Sequence, residues 1–533
     1  MKISALKCAV IGSNPVVRIV TDEGVDGYGE IEATKPYLKP VVLHYEQYLL
    51  GQDPTDVERI MLRIRRLGSF KPWGSAVSAI EMALWDLAGQ IAGLPVHKLL
   101  GGRVRDRVRV YNGGIRFPLS GQAPADYAAN MTLMKNAPEG FTIIKQGIGY
   151  HGAMATEVPG FAYSDLREGG PHPSRGPLTE RGLDHVVACV EAMKDVLGDE
   201  VGLALDCGPG WTVPDAIRLA RRLEPYHILW LEDLLTGDYV PYSDAAAYRE
   251  VTRATSTPVH TGEQIYLRQN FRDLIEQRAV RVIGPDPCDV GGIAELKWVA
   301  EYADMHGVLM APHGVFDGLL GLAALVQVAA TLPDNFIAFE YPVGRPDWWY
   351  EIVEGLPSPI VRDGQIDVWD RPGMGIRLIP EAARPHLAPE DAGFFDLRAG
   401  GDMTETTGES RFLGSSGLRV PVLTLGTMTF GGAGRHASMG TVQVDEATRM
   451  VDICLENGVF FFDTADVYSS GLSEEVLGKA VGSRRGDVLL ATKLNGPMGS
   501  GPNDLGQSRH HIIAACEASL RRLGTDYIDL YQV

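Results

Sequence analysis

Six apolar runs decide the fold: VGLALD (201–206), ILWLED (228–233), TPVHTGE (257–263), RVIGPD (281–286), VLMAPH (308–313) and FIAFE (336–340). Each ends at or near an acid or an imidazole, in order Asp206, Glu232, Glu263, Asp286, His313 and Glu340. The steps between them are roughly 23 to 31 residues, about the length of one strand–helix unit. Alternating strand and helix signals over 123–345 imply parallel strands joined by crossover helices, closed into an α/β barrel. Catalytic groups on such a barrel gather at the C-terminal ends of its strands. Six polar groups on one rim serve no structural need, so the array predicts an active site.

Working outward, residues 1–122 read as an α+β segment. Two strand-like stretches (KISALKCAVI and PVVRIVTDEG) precede GYGEIEA, and SAVSAIEMALWDLAGQIAGL repeats its apolar residues at helical spacing. Residues 346–398 close the first unit with a turn-rich tail. AGGDMTETTGES (399–410) has linker composition, and a second strand–helix alternation fills 411–533. The run 150–177, rich in Gly, Pro and aromatics, follows GFTIIK and is expected to hang over the strand-end face as a lid.

A formal net charge of −19 argues against nucleic acid and anionic membranes as partners. No apolar stretch approaches the roughly 18 residues of a membrane span. The six cysteines lack metal-ligand spacing, which favours a reducing cytoplasmic compartment.

Asp206, Glu232 and Glu263 place three hard oxygen ligands on successive strands. Their mutual repulsion calls for a divalent cation between them, and oxygen-only ligands favour Mg²⁺ or Mn²⁺. Asp286 and His313 fall on adjacent strands, where a carboxylate bonded to one imidazole nitrogen raises the basicity of the other. Lys145, ending GFTIIK, lies across the mouth, placed to bind or polarise a substrate carboxylate or to act as a base.

These motifs resemble the enolase superfamily, specifically its mandelate-racemase-like acid-sugar dehydratases. The resemblance covers about residues 1–395 and rests on GLPVHKLLGG, the acids in ALD, WLED and TGE, then PDPCDVGGIAE, APHG and RPGMG. It implies an α+β cap over a (β/α)₇β barrel and removal of the proton α to a carboxylate, with the metal holding the enediolate. Loss of a β-hydroxyl then gives a 2-keto-3-deoxy acid. By the same resemblance Asp206, Glu232 and Glu263 bind Mg²⁺, the Asp286–His313 pair moves protons, and Glu340 hydrogen-bonds the substrate carboxylate. A homo-oligomer is implied as well. Two positions depart from the pattern: the usual Lys-x-Lys is Lys145-Gln146-Gly147, and Gly208 stands two residues after the first metal acid. Tyr150, His151, Tyr163 and His172 are candidates for the missing opposite-face group. Specificity is expected from loops around Ser13–Pro15 and Ser69–Trp73 and from the 150–177 run. Epimerisation or cycloisomerisation shares the enediolate and stays open beside dehydration; a barrel kept only for binding is a third possibility.

Residues 411–533 resemble the first half of an aldo-keto reductase barrel through FFFDTADVYSSGLSEEVLGKAV, VLLATKLN and RRLGTDYIDLYQV. The resemblance implies a proton-donating set of Asp463, Tyr468 and Lys493. An incomplete (β/α)₈ barrel leaves an unclosed core and lacks the later cofactor-binding strands, so no NADPH-dependent activity is expected of it. Met403, opening MTETTGESRFLG, suits the start of a separate reductase, so the two segments read as neighbouring genes joined. Lys493→Met is therefore expected to leave any activity unchanged; an NADPH-dependent rate abolished by that substitution would overturn the expectation.

Overall fold

The computed structural model describes all residues except 68–73, 114–116, 118, 164–175, 236–242, 315–317, 343–345, 397–409, 414–415, 417 and 435–437. The chain divides into two compact units, Met1–Gly400 and Gly401–Val533.

The first unit opens with an antiparallel meander, β1 (Ile3–Ile11), β2 (Asn14–Thr21) and β3 (Asp26–Glu30). A largely buried helix, Gly74–Ala92, packs on β3. Its run of small residues lets the two backbones meet closely: a Cβ on Gly29 would stand 1.9 Å from the Ala79 carbonyl oxygen.

Eight parallel strands follow: β4 (Arg107–Asn112), β5 (Ile143–Gly147), β6 (Gly202–Asp206), β7 (Trp230–Glu232), β8 (Val259–Thr261), β9 (Val282–Ile283), β10 (Leu309–Met310) and β11 (Phe339–Tyr341). They run in the order β10-β9-β8-β7-β6-β5-β4-β11. The ring closes where the Met310 amide donates to the Asn335 carbonyl at 2.9 Å and the Ile337 amide to the Met310 carbonyl at 2.8 Å. The helices Pro124–Lys135, Glu180–Leu197, Val213–Leu223, Ala245–Ala254, Arg272–Glu276, Ile293–Met305 and Leu319–Ala329 follow β4 to β10 in turn. This is the parallel barrel that the spacing of the acids predicts, in the (β/α)₇β form that the resemblance implies.

The barrel begins earlier than residue 123, because β4 pairs with β5 and β11 in the ring. The segment RVRVYN alternates exposed and buried residues at its start, unlike the apolar runs of later strands. Its other partner explains this: β13 (Gln365–Asp367) lies antiparallel along it, after β12 (Val353–Glu354) and before β14 (Arg377–Leu378), which pair with each other. The tail then reaches the meander. The Asp391 carboxylate accepts the Val10 amide at 2.9 Å and pairs with Lys39, and Arg18 donates to the Phe394 carbonyl at 2.9 Å.

Inside the ring, Tyr111, Ile143, Ala204, Trp230, Val282, Ala311 and Ala338 form a separate apolar layer. Tyr111 and Trp230 meet edge to face at 5.4 Å and plug the interior beneath the strand ends.

Two fully buried acids from the cap hold barrel helices by their N-termini. Glu30 accepts the Leu320 and Gly321 amides at 3.0 and 3.1 Å, and Glu81 accepts those of Ile293 and Ala294 at 2.8 and 3.0 Å. First-turn amides have no partner within their own helix, and the positive end of the helix dipole favours a carboxylate there. These helices follow the loops that carry His313 and Asp286, so the cap fixes both loops.

In the second unit, β15 (Ser410–Phe412) and β16 (Arg419–Pro421) form an antiparallel pair. A parallel sheet then runs β17 (Leu425–Gly426), β18 (Phe461–Asp463), β19 (Leu489–Lys493) and β20 (Leu530–Gln532) in that order. Phe430, Phe462, Leu477 and Leu490 centre its core. Among the described residues of both units, no helix is long and apolar enough to cross a membrane.

Burial pushes the Glu81 carboxyl up to about 7, against the opposing effects of Arg65 and the helix amides. Its folded value exceeds the ordinary 4.5, so folding takes up a proton between these values and stability falls as pH rises from 4.5 to about 7. Glu81→Gln should flatten this slope by on the order of 3 kcal/mol across the window, read from denaturant unfolding at each pH.

Candidate active site

Residues from β5 to β11 converge at the mouth of the barrel. The parallel register sets Asp206 beside Glu232 on neighbouring strands, and Glu232 beside His260. Glu263 follows one turn after β8. Asp206 and Glu263 are each 9 % exposed and Glu232 is fully buried.

Lys145 lies between two of the acids. Its ammonium donates to Glu232 Oε1 at 2.6 Å and to Glu340 Oε2 at 3.1 Å. Burial alone would depress the lysine, but the Glu232 and Glu340 carboxylates outweigh it and hold the group well above its ordinary range. Burial likewise opposes ionisation of Glu232, yet Lys145 and then His260 keep its carboxyl below the usual value. Trp230 of the interior plug donates its indole N–H to Glu232 Oε2 at 2.8 Å, so the floor of the barrel also orients this acid.

On the far side of the ring, His313 Nδ1 and Asp286 Oδ2 lie 2.6 Å apart. The Cys288 amide donates to Asp286 Oδ1 at 2.6 Å and fixes the carboxylate from behind. Burial, followed by the neighbouring Asp289 carboxylate, pushes the Asp286 carboxyl well up. The other imidazole nitrogen, Nε2, points to the mouth, 3.3 Å from Glu263 Oε2 and 3.5 Å from Glu340 Oε2. Six of the seven strand-end residues singled out in the sequence thus meet one another, Lys145 with Glu232 and Glu340 and His313 with Asp286, Glu263 and Glu340; Asp206 lies beside Glu232 in the strand register and contacts His151.

Asp206, Glu232 and Glu263 suit a divalent ion by their chemistry. They are oxygen donors from neighbouring strands, sheltered but, at Asp206 and Glu263, open to the mouth. Nitrogen groups stand against all three in this structure: His151 Nδ1 sits 3.2 Å from Asp206 Oδ1, the Lys145 ammonium pairs with Glu232, and His313 Nε2 lies 3.3 Å from Glu263 Oε2. Among the described residues, the tightest group of possible ligand atoms is instead Glu32, Asp286 and His313, within 4.8 Å of one another. That group is fully buried and contains the dyad itself, so proton handling fits it better than ion binding.

Sequence reasoning missed the support behind the dyad. Lys35, in the cap loop after β3, reaches Asp289 at 2.7 and 2.8 Å, Glu32 at 2.8 Å and Gln264 at 3.4 Å, and Ser75 also donates to Asp289. Asp289 and Gln264 adjoin Asp286 and Glu263 in sequence, so one ammonium ties the cap to both loops. Burial and Asp289 push the Glu32 carboxyl well up. Asp289 itself was visible within PDPCDVGG; its partner lies too far away in sequence for any local signal. His260 was also missed. It stacks on Trp230 and approaches Glu232 at 3.4 Å, and burial lowers its basicity. An imidazole inside the apolar run TPVHTGE was the available sign.

Of the four opposite-face candidates, Tyr150 is buried against Phe161 and Trp211, its hydroxyl donating to the Gly176 carbonyl at 3.1 Å. Tyr163 is 76 % exposed. His172 lies outside the described residues, as do 69–73 of the expected specificity loops and 164–175 of the expected lid. His151 alone of the described candidates contacts a strand-end acid. In the second unit, Lys493 donates to Asp463 at 2.6 Å and lies 5.1 Å from the centre of the Tyr468 ring.

Residues 8–101 match the mandelate racemase/muconate lactonizing enzyme N-terminal domain, and 129–382 match the enolase C-terminal domain-like family. Residues 422–533 match the aldo/keto reductase family. The chain is 32 % identical over 395 residues to a D-xylonate dehydratase of Haloferax volcanii, covering 71 % of this chain and 86 % of that protein. It is 30 % identical over 372 residues to a D-galactonate dehydratase of Ralstonia pickettii, covering 68 % and 88 %. A crystal structure of a mandelate racemase/muconate lactonizing enzyme-like protein from Rubrobacter xylanophilus superposes with a TM-score of 0.62 at 32 % identity, over 73 % of this chain and 98 % of that one.

Removing Lys145 would leave Glu232 and Glu340 buried without their common cation. Lys145→Met is expected to cost about 3–5 kcal/mol of stability, measured by denaturant unfolding in the presence of a chelator. A loss below 1 kcal/mol would mean that other groups neutralise the pair.

Proposed function

Because the chain belongs to the mandelate racemase/muconate lactonizing enzyme family, we propose that it dehydrates a sugar acid, an aldonate or aldarate, to the 2-keto-3-deoxy acid. The observation that carries this is the His313–Asp286 pair, aimed by Nε2 at Glu263 and Glu340, across the mouth from Lys145. The names of the xylonate and galactonate dehydratases among its relatives support the substrate class.

Asp206, Glu232 and Glu263 would hold Mg²⁺, with Mn²⁺ an acceptable substitute, and the ion would supply electrostatic stabilisation of the charge that builds on the substrate carboxylate. Lys145, steadied by Glu340, contacts that carboxylate and orients the α-carbon toward His313. His313 Nε2 takes the α-proton while Asp286 steadies the imidazolium through Nδ1. The electron pair of the broken C–H bond enters the enediolate and then expels the β-hydroxyl, which leaves as water with the proton returned by the His313 imidazolium. Ketonisation of the enol returns a proton to C3. Lys35 and Asp289 keep the dyad loop in register with the cap throughout.

Proton NMR of aldonates and aldarates in D₂O with Mg²⁺ tests the proposal. A new, partly deuterated C3 methylene is expected from at least one acid. Loss of the α-proton signal without a new skeleton would mean epimerisation, and silence across the panel would remove the substrate class. His313→Asn should lower turnover by about 10²–10⁴-fold, and a chelator should abolish it.

A further inference from the structure

We propose that His151 is a catalytic residue of this site, facing the sugar acid from the side opposite His313 and hydrogen-bonding one of its hydroxyls. The proposal rests on the dehydratase reading and names a group that acts on the second face of the substrate.

The loop after β5 is stitched across the end of β6. The Ile148 amide donates to the Asp206 carbonyl at 2.8 Å, the Tyr150 amide to the Cys207 carbonyl at 3.1 Å, and the His151 amide to the Ile148 carbonyl at 3.1 Å. His151 is thereby laid over the two strand ends. A Cβ on Gly147 would stand 2.4 Å from His151 Cδ2, and one on Gly208 would stand 2.8 Å from the His151 backbone nitrogen. Both glycines flank Asp206, one on each strand, and one residue accounts for both: neither position can carry a side chain while His151 occupies this place. Gly208 also has φ +64°, which disfavours other residues independently.

The placement is across the site. In the ring order, β5 and β6 lie three or four strands from β9 and β10, which are followed by Asp286 and His313. The His151 side chain is 33 % exposed, where that of His313 is 3 % exposed, so the ring stands at the opening. It borders a cavity of about 200 Å³ whose walls are largely apolar, Phe117, Leu119 and Met134 among them, so that His151, Lys145, Gln146 and Asn130 are among its few polar side chains. A polyhydroxylated chain lying over Lys145 would run along this cavity, and its hydroxyls need polar partners there.

The competing role is orientation of Asp206 alone, because His151 Nδ1 touches that acid. The two separate in one experiment on the full chain, with D-xylonate and D-galactonate as substrates and Mg²⁺ binding followed by calorimetry. His151→Ala is expected to lower kcat/KM about 10²-fold while Mg²⁺ affinity stays within about threefold. Gly147→Ala, whose new methyl displaces the ring, should give a similar loss, and the double variant should be no worse than either single one. Unchanged kcat/KM in His151→Ala overturns the proposal, as does a fall in Mg²⁺ affinity that matches the fall in activity. Should His151→Ala fail to fold, Gly147→Ala and His151→Gln carry the same comparison. A wild-type chain inactive on every acid would sink the dehydratase reading, and this proposal with it; activity indifferent to His151 sinks this proposal alone.

Discussion

The Lys145 ammonium, held between Glu232 and Glu340, is the contact on which the mouth of the barrel depends. Five carboxylates from five strands or strand ends converge there, together with Glu32 and Asp289 beside the dyad. Such a set cannot stay ionised in a buried place without cations or shared protons. Lys145 answers for the acids on one side and Lys35 for those on the other, while imidazoles stand at Asp206, Glu232 and Glu263. A divalent ion among the three acids would compete for the same oxygens, so ion affinity and the strength of these contacts must be balanced against each other.

The cap contributes more than a cover. Glu30 and Glu81 neutralise the N-termini of the helices that follow the His313 and Asp286 loops, and Lys35 binds the Asp289 and Gln264 side chains. Three side chains from one segment therefore fix three successive catalytic loops. Rigid support of this kind is what a proton-transferring pair requires, since an error of about 1 Å in its placement costs orders of magnitude in rate.

Much of this was legible in the sequence where chemistry and local pattern coincide. An acid at the end of a short apolar run declares both a strand and its exposed end, and Asp206, Glu232, Asp286 and Glu340 all stand where that rule puts them. The rule failed for β4, because its antiparallel neighbour β13 leaves one face of RVRVYN charged. It was silent on the strut of Lys35, Glu32 and Asp289, whose members lie in different layers of the fold and are joined only by tertiary packing. It left Tyr150, His151 and Tyr163 equal, since only the crossing of a loop over β6 decides which one faces the acids and which is core or surface.

The two kinds of residue divide the chemistry. Removal of an α-proton is common to dehydration and epimerisation, and the groups proposed for it, the dyad, Lys145 and the three acids, sit on or just beyond strands locked in a closed ring. What separates the reactions is the fate of the β-hydroxyl and the access of a proton to the second face. Those depend on the loop after β5 and on the cap, which can change length and sequence without disturbing the ring. The second unit makes the same point from the other side: Asp463 and Lys493 again meet at strand ends at 2.6 Å, but each is more than a quarter exposed and, among the described residues, no further acid pairs with Lys493. Burial of many acids together, as in the first barrel, calls for shared protons or cations, the condition under which carboxyl groups depart from their ordinary behaviour.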